Sequence, residues 1–344
     1  MILNPLLPDP TPLLTILIPS FRGYPRMAAD SRDGVVPSFS FDPFAGLSAF
    51  PGGGPSHDLR HVVCLLGVVD LQRRMILRMA LGERGIGNVF EAIRLEDLRH
   101  QIIARQPDLI ICDEVMGETE VASLIHGLRQ GAVGASPFLV VATLSGLPVA
   151  DKVRVLIDSG VDDLISLPVA PRAVVARTLS LIDRRRPFVV TSDYIGPDRR
   201  HASRRADTPP RLLIEPPNTL RLKALGQYNA EVVTRQIDAL RGELNLRKIE
   251  RHAERIVAIA GAILPRLHLG TQDERVRTLS RQVGTLAHEI AERIEGTPFA
   301  GHADLCIALR DVTDRLDDAN PSVTDVELAE QLVAAVERAF VAQD

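Results

Sequence analysis

Between residues 61 and 184, short apolar runs alternate with amphipathic stretches. The runs predict strands, and in chain order they read "HVVCLL", "NVFEAI", "LIIC", "FLVVAT" and "DDLISL". The amphipathic stretches predict helices over residues 71–81, 95–105, 118–130, 148–159 and 171–182. Because the runs are continuous rather than alternating with polar residues, we expect both faces of the sheet to be buried. The pattern predicts an α/β fold, a (βα)5 doubly wound parallel sheet.

The pattern changes on both sides of this region. Residues 1–57 contain 10 of the 24 prolines, which predicts a disordered leader. After the α/β domain at 58–184, a basic Pro/Arg-rich arm follows at 185–217 and an all-helical output or dimerisation domain at 218–344. Within this last domain we expect helices at about 220–244, 246–264, 273–294, 300–316 and 324–341.

Composition excludes some classes of protein. A formal net charge of −4 gives no general attraction to nucleic acids or acidic membranes. The three cysteines, Cys64, Cys112 and Cys306, form no C-x-x-C pair, so neither a disulfide framework nor a cysteine zinc site is expected. Because no apolar run is long enough to span a bilayer and the start lacks a basic n-region, we expect a cytoplasmic protein.

One carboxylate occupies a notable position in the stretch "PDLIICDEVM", residues 107–116. Asp113 follows the third predicted strand, and functional crevices in such sheets lie at the carboxyl ends of the strands. A carboxylate there can act as a nucleophile toward phosphoryl groups if a divalent metal shields its charge. Asp113 is therefore either a catalytic acceptor or a polar residue that caps a turn.

With "PDLIICDEVM", the later "GVDDLISLPV" and the five repeats, residues 61–184 resemble the receiver domain of bacterial two-component response regulators. The resemblance implies that Asp113 matches the phospho-accepting aspartate. It also implies that Thr143 matches the hydroxyl residue that contacts the phosphoryl group and switches the surface, with Ser145 as an alternative occupant.

Two features of receiver domains are missing from the sequence. Gly67 and Val68 stand where the family has the acidic pair that holds magnesium, and Leu167 stands before Pro168 where the family has a lysine. Mg²⁺ requires oxygen ligands, and the side chains of Gly67 and Val68 provide none. We therefore expect a bound magnesium ion only if Asp113 is phosphorylated.

The only other acids near this crevice are Asp70 and Glu114. Asp70 is a weak candidate for a metal ligand beside Asp113, and a helix N-cap is the favoured interpretation. We therefore expect a degenerate receiver, a pseudo-receiver that acts mainly by binding proteins.

The arm "FVVTSDYIGPDRRHASRR" resembles, more weakly, a segment that follows certain bacterial receiver domains. It is expected either to add a strand or pack against a neighbour, or to be a solvated basic linker. A nucleic-acid interface is not expected, because the arm has few aromatic residues, Tyr194 among them, and no reader motif is recognised.

These observations predict a response-regulator-like protein of phosphorelay signal transduction that is not an enzyme. The expected partners are a sensor kinase or another signalling protein, and a homodimer through the helical tail. One alternative is an enzyme that binds a nucleotide or flavin, although "LLGVVDLQ" has one glycine where the dinucleotide fingerprint has three. A second alternative is a histidine phosphotransfer intermediate that uses His252 or His288 on the predicted helices.

Overall fold

A computed structural model describes residues 57–146, 149–199, 213–317 and 321–341 of the chain. The predicted leader lies outside the described residues except for His57. We call residues 57–184 the α/β part and residues 213–341 the helical part. None of the helices within the described ranges is long and apolar enough to cross a membrane.

The α/β part is built on one parallel sheet. Its five strands are β1 (Val63–Gly67), β2 (Asn88–Glu91), β3 (Leu109–Asp113), β6 (Val140–Ser145) and β7 (Asp163–Ser166). They pair in the order β2-β1-β3-β6-β7, so β3 lies in the centre. This topology confirms the predicted doubly wound α/β fold, and it brings the carboxyl ends of β1, β3 and β6 together at one edge.

Helices cover both faces of the sheet. They are α1 (Leu71–Glu83), α2 (Leu95–Arg105), α3 (Ala122–Arg129), α4 (Ala150–Asp158) and α5 (Pro171–Leu179). In β3, Leu109 and Ile111 enter one buried cluster, while Ile110 and Cys112 enter the cluster on the opposite face. Successive side chains of a strand point to opposite faces, so a strand between two helix layers must be apolar throughout.

A small hairpin departs from the prediction. The sequence predicts a helix from residue 118, but β4 (Val115–Met116) and β5 (Thr119–Glu120) form an antiparallel pair first, and α3 begins at Ala122. Gly117 lies in the turn with φ 72°, a conformation that favours glycine.

The arm folds against the protein instead of forming a solvated linker over its described residues. After α6 (Leu181–Arg184), strands β8 (Phe188–Val190) and β9 (Ile195–Pro197) make an antiparallel hairpin. Phe188 is fully buried there. Residues 200–212 of the arm lie outside the described ranges.

The helical part contains one very long helix. Its helices are α7 (Thr219–Ala224), α8 (Ala230–His268), α9 (Glu274–Arg293), α10 (Ala303–Leu316) and α11 (Val323–Val336). The predicted break near residue 245 is wrong, because α8 continues for 39 residues. No glycine or proline interrupts the chain at 245, and the Asn245 side chain donates from Nδ2 to the Arg293 carbonyl oxygen at 2.8 Å. Helices α8 to α11 share one apolar core.

Candidate functional site

Asp113 ends the central strand, where the sequence places the candidate acceptor. It pairs with Leu144 of β6, and the preceding Cys112 pairs with both Gly67 and Thr143. Its side chain keeps only 12% of its surface exposed. The carboxylate therefore lies at the bottom of the crevice formed by the ends of β1, β3 and β6.

Both oxygens of the Asp113 carboxylate have hydrogen-bond partners. The backbone N–H of Val69 donates to Oδ2 at 2.9 Å. Arg73 in the first turn of α1 donates from Nη1 to Oδ1 at 2.8 Å. A fixed guanidinium charge thus neutralises the carboxylate directly. Arg73 is not among the residues predicted from the sequence, where its one signal is a basic residue three positions after the predicted N-cap Asp70.

Burial raises the pKa of the Asp113 carboxyl, and the nearby Asp70 acts in the same direction. The Val69 N–H and the Arg73 guanidinium oppose this shift by stabilising the ionised form. The site is therefore a carboxylate in a partly dehydrated environment that depends on one cation.

A second arginine fixes the loop after β1. The buried Arg74 donates from Nη1 to the carbonyl oxygens of Val68 and Val69, at 2.6 and 3.0 Å. Its Nε donates to Glu91 Oε2 at 3.0 Å. Because the two carbonyl oxygens are fixed, the Val69 N–H is held toward Asp113.

Asp70 caps helix α1. Its Oδ1 accepts from the backbone N–H of Arg73 at 2.7 Å. This hydrogen bond satisfies one of the free N–H groups at the helix start, as a capping aspartate does. The side chain is therefore directed to the helix end rather than held as a free oxygen ligand.

Positions 67 and 68, where the resemblance to receiver domains would place an acidic pair, leave no room for acidic side chains. A Cβ on Gly67 would lie 3.0 Å from the Cys112 Cβ and 3.3 Å from the Met116 sulfur. Val68 is fully buried in the core. An acidic side chain at 67 would require its neighbours to shift, and one at 68 would be buried among apolar groups.

The residues present do not fit a magnesium ion. Asp113 is paired with Arg73, and Asp70 caps a helix. Across the described part of the chain, no group of three His, Cys, Asp or Glu side chains is arranged to hold a metal. Mg²⁺ needs several oxygen ligands in near-octahedral geometry, and this crevice does not offer them from side chains.

The two candidate hydroxyls occupy different environments. Thr143 is fully buried, and its Oγ1 lies 3.9 Å from Cys112 Sγ. Ser145, at the end of β6, donates from Oγ to Glu114 Oε2 at 2.8 Å. The Gly146 N–H donates to the other oxygen of Glu114 at 2.8 Å. The hydroxyl nearer the sheet edge is thus the Ser145 hydroxyl, and Glu114 holds it.

Leu167, which stands where receiver domains have a lysine, lies in an apolar environment. Leu167 packs against the core cluster that contains Ile111, and its N–H donates to the Ser145 carbonyl oxygen at 2.7 Å. The cation of this crevice comes from α1, on the other side of Asp113.

The two histidines of the phosphotransfer alternative differ in access. His252 is 1% exposed, and burial is the main cause that lowers its pKa. Glu289 Oε2 lies 3.0 Å from His252 Nε2, but neither ring nitrogen makes a well-oriented hydrogen bond within the described residues. His288 is half-exposed and lies 3.4 Å from Glu292. A phosphotransfer histidine must be reached by a second protein, and His252 is enclosed.

No known protein family matches this sequence, and no curated protein matches it. Among solved structures, the chain is similar to the signal receiver domain of a response regulator from Bermanella marisrubri. The two sequences are 24% identical, the match covers 35% of this chain and 98% of that chain, and the TM-score is 0.31. It is similar to the receiver domain of the Francisella response regulator 1452, with 22% identity, coverages of 35% and 95%, and a TM-score of 0.31. A receiver domain protein from Methanospirillum hungatei JF-1 matches with 18% identity, coverages of 34% and 90%, and a TM-score of 0.31. At these identities the likeness concerns the fold alone, and it covers about a third of the chain.

Proposed function

We propose that this chain is a response-regulator-like signalling protein whose receiver-like domain binds other proteins without being switched by aspartyl phosphorylation. The observation that carries the proposal is the ion pair between Arg73 and Asp113. The guanidinium already balances the charge of the carboxylate, which in phosphoryl transfer a divalent metal ion would shield.

The chemistry of phosphoryl transfer supports this proposal. Attack by a carboxylate on a phosphorus atom brings two negatively charged groups together, and a divalent cation normally offsets their repulsion. Here both oxygens of Asp113 already accept hydrogen bonds, and residues 67 and 68 provide no metal ligand. The acceptor is therefore neutralised without being activated.

The hydroxyl at the sheet edge also favours a surface of constant shape. A switch requires a side chain with two alternative positions that the modification can select. The Ser145 hydroxyl is bonded to Glu114, whose other oxygen is bonded to the Gly146 backbone. No phosphoryl group is needed to hold this arrangement, so the domain presents one conformation to its partner.

An exposed apolar stripe on α1 supports a role in binding. Leu71, Met75 and Met79 follow one another at four-residue spacing and are 61, 57 and 62% exposed. Residues four apart lie on the same helix face, and contiguous exposed apolar side chains are typical of protein interaction sites. The partner we propose is a sensor kinase or another signalling protein. Self-association through the helical part stays a prediction, since its core is filled by side chains of a single chain.

The test is the intact mass of the full chain after incubation with acetyl phosphate and magnesium. We expect no phosphoryl adduct on the wild type. We also expect none on Arg73→Ala, because this variant still lacks the acidic pair. Asp113→Asn serves as the matched control for adducts at other sites. A phosphoryl adduct on the wild type that is absent from Asp113→Asn would refute the proposal and establish Asp113 as a working acceptor.

A further inference from the structure

A cleft of about 440 Å³ lies between the α/β part and the helical part. Its wall includes Gln130 after α3, Ile195 of the arm hairpin, Arg241 and Leu244 of α8, and Arg293 at the end of α9. Its volume lies in the range of about 300–1,000 Å³ that small-molecule sites occupy. The candidate phosphorylation site contributes no residue to this wall.

The Arg293 guanidinium makes no ion pair with a described carboxylate, although the nearby Glu289 and Glu292 offset part of its charge. Within residues 57–146, 149–199, 213–317 and 321–341, no carboxylate oxygen lies within 4.0 Å of it. Its one side-chain hydrogen bond to a described residue runs from Nη2 to Gln130 Oε1 at 3.2 Å. Burial lowers the pKa of Arg293, which reflects the cost of removing its charge from water. A half-buried cation that makes no ion pair with a described carboxylate is stabilised by an anion that enters the cleft.

A fully buried cation, Lys248, lies near the half-buried Arg293. Lys248 is 2% exposed and donates from Nζ to the Thr191 and Ser192 carbonyl oxygens of the hairpin. Burial lowers the pKa of Lys248 to about 8, and the positive charge of Arg293 adds to this effect. The two cations therefore destabilise each other; Glu289 opposes this effect, yet the pKa of each cation stays lowered, so an anion beside Arg293 would relieve both.

The third source of positive charge is an arginine pair that shares one acid. Arg129 donates from Nη2 to Asp162 Oδ2, and Arg185 donates from Nε to Asp162 Oδ1, both at 2.8 Å. All three side chains are almost completely buried. Among the described residues this network contains two guanidiniums and one carboxylate, so it adds positive potential at the wall where Arg129 lines the cleft.

Two acids at the rim limit what the cleft can accept. Asp238 and Glu295 also line it, and both are exposed. Asp238 lies 3.6 Å from Arg241 and compensates it in part. Because these acids repel extended polyanions, they favour a compact ligand with one anionic group over a nucleic acid.

We infer that this cleft binds a small organic molecule with one carboxylate or phosphate group. Its oxyanion lies against Arg293, and its apolar part lies against Ile195 and Leu244. The geometry matches a common design of ligand sites, in which apolar walls carry a few polar groups that fix orientation.

The experiment uses the full chain with three probes of similar shape: benzoate, phenyl phosphate and neutral benzamide. Calorimetric titration and ligand-observed NMR at constant ionic strength measure their binding. We expect saturable binding of benzoate or phenyl phosphate, and the stronger of the two identifies the anionic group. Benzamide should not saturate at the same concentrations.

Two variants change the cleft in independent ways. Arg293→Met removes the cation, and Gly242→Leu adds a side chain where a Cβ meets nothing within 4 Å on the cleft wall. Each should weaken binding at least tenfold, and circular dichroism verifies folding. Arg251→Met is the matched control, because Arg251 lies on the same helix and pairs with the exposed Glu254. No saturable binding of either anion up to about 10 mM, or binding by the folded cleft variants as strong as that of the wild type, would overturn the inference.

Discussion

The Arg73–Asp113 ion pair predicts a measurable coupling energy between the two side chains. The perturbations are Arg73→Ala, Asp113→Asn and the double substitution. The arginine side chain is 36% exposed and the aspartate 12%, so the pair lies between the surface and buried classes. Exposed pairs contribute below about 1 kcal/mol, whereas breaking buried pairs costs about 3–5 kcal/mol. Because solvent at the arginine screens the interaction, we expect a coupling of about 1–2 kcal/mol between the two substitutions in the free energy of unfolding.

The pH dependence provides a second readout of the same pair. Burial raises the pKa of Asp113 above its ordinary 3.8, so the folded protein binds this proton more tightly than the unfolded chain. The stability that the folded protein gains from this tighter proton binding is therefore lost as the pH rises from 3.8 through the raised pKa of Asp113. Removing Arg73 removes an influence that lowers the pKa, so the loss becomes larger. Arg73→Ala should therefore be more destabilising near neutral pH than at about pH 4.

Urea denaturation followed by circular dichroism measures all four proteins at both pH values. Hydrogen exchange of peptides from β1 and α1 reports the α/β part separately from the helical part. Asp113→Asn should suppress most of the effect of Arg73→Ala, because the neutral amide no longer needs a cation. A coupling energy near zero at neutral pH, or an Arg73→Ala effect that does not change with pH, would refute the reasoning.

Two further predictions concern the connection between the α/β part and the hairpin. Asp162→Asn should destabilise the protein by about 3 kcal/mol or more, because both buried guanidiniums lose the carboxylate that they share among the described residues. Asp163→Asn, which breaks the half-exposed pair next to it, should cost less than about 1 kcal/mol, and thermal unfolding compares the two. Gly160→Ala should lower stability by about 3 kcal/mol or more, because Gly160 has φ +91° and a Cβ there would collide with the Ile195 carbonyl oxygen. Gly226→Ala, at φ +67° in open space, should cost only about 1 kcal/mol, and similar losses for both glycines would contradict the collision argument.

The sheet could be predicted because its signal is local. Each strand is a short apolar run, and all five strands of the parallel sheet lie where such a run is found. The β4–β5 hairpin could not be found this way, because two-residue strands carry no periodicity. The continuity of α8 through Asn245 depends on packing against α9, which a local pattern does not contain.

In the candidate site, too, some features could be predicted from the sequence and others could not. The position of Asp113 follows from strand order, since the carboxyl end of a central strand meets the crevice. The role of Arg73 does not, because it depends on the rotation of α1 relative to the sheet and on the path of the loop before it. The contact between Ser145 and Glu114 likewise joins residues that are 31 positions apart in the chain.

The unbroken helix α8 has a mechanical consequence. At 1.5 Å per residue, its 39 residues extend about 58 Å. Ile237, Leu240 and Leu244 pack on the hairpin core, and from Ile249 onward the same helix belongs to the core of the helical bundle. The stretch of this helix between the two contacts, residues 237–249, contains no proline and is therefore stiff. A displacement of the bundle must either bend this stretch or pull the first turns of the helix away from the hairpin. Gly242, an interior glycine beside the hairpin contact, is where this stretch bends most easily.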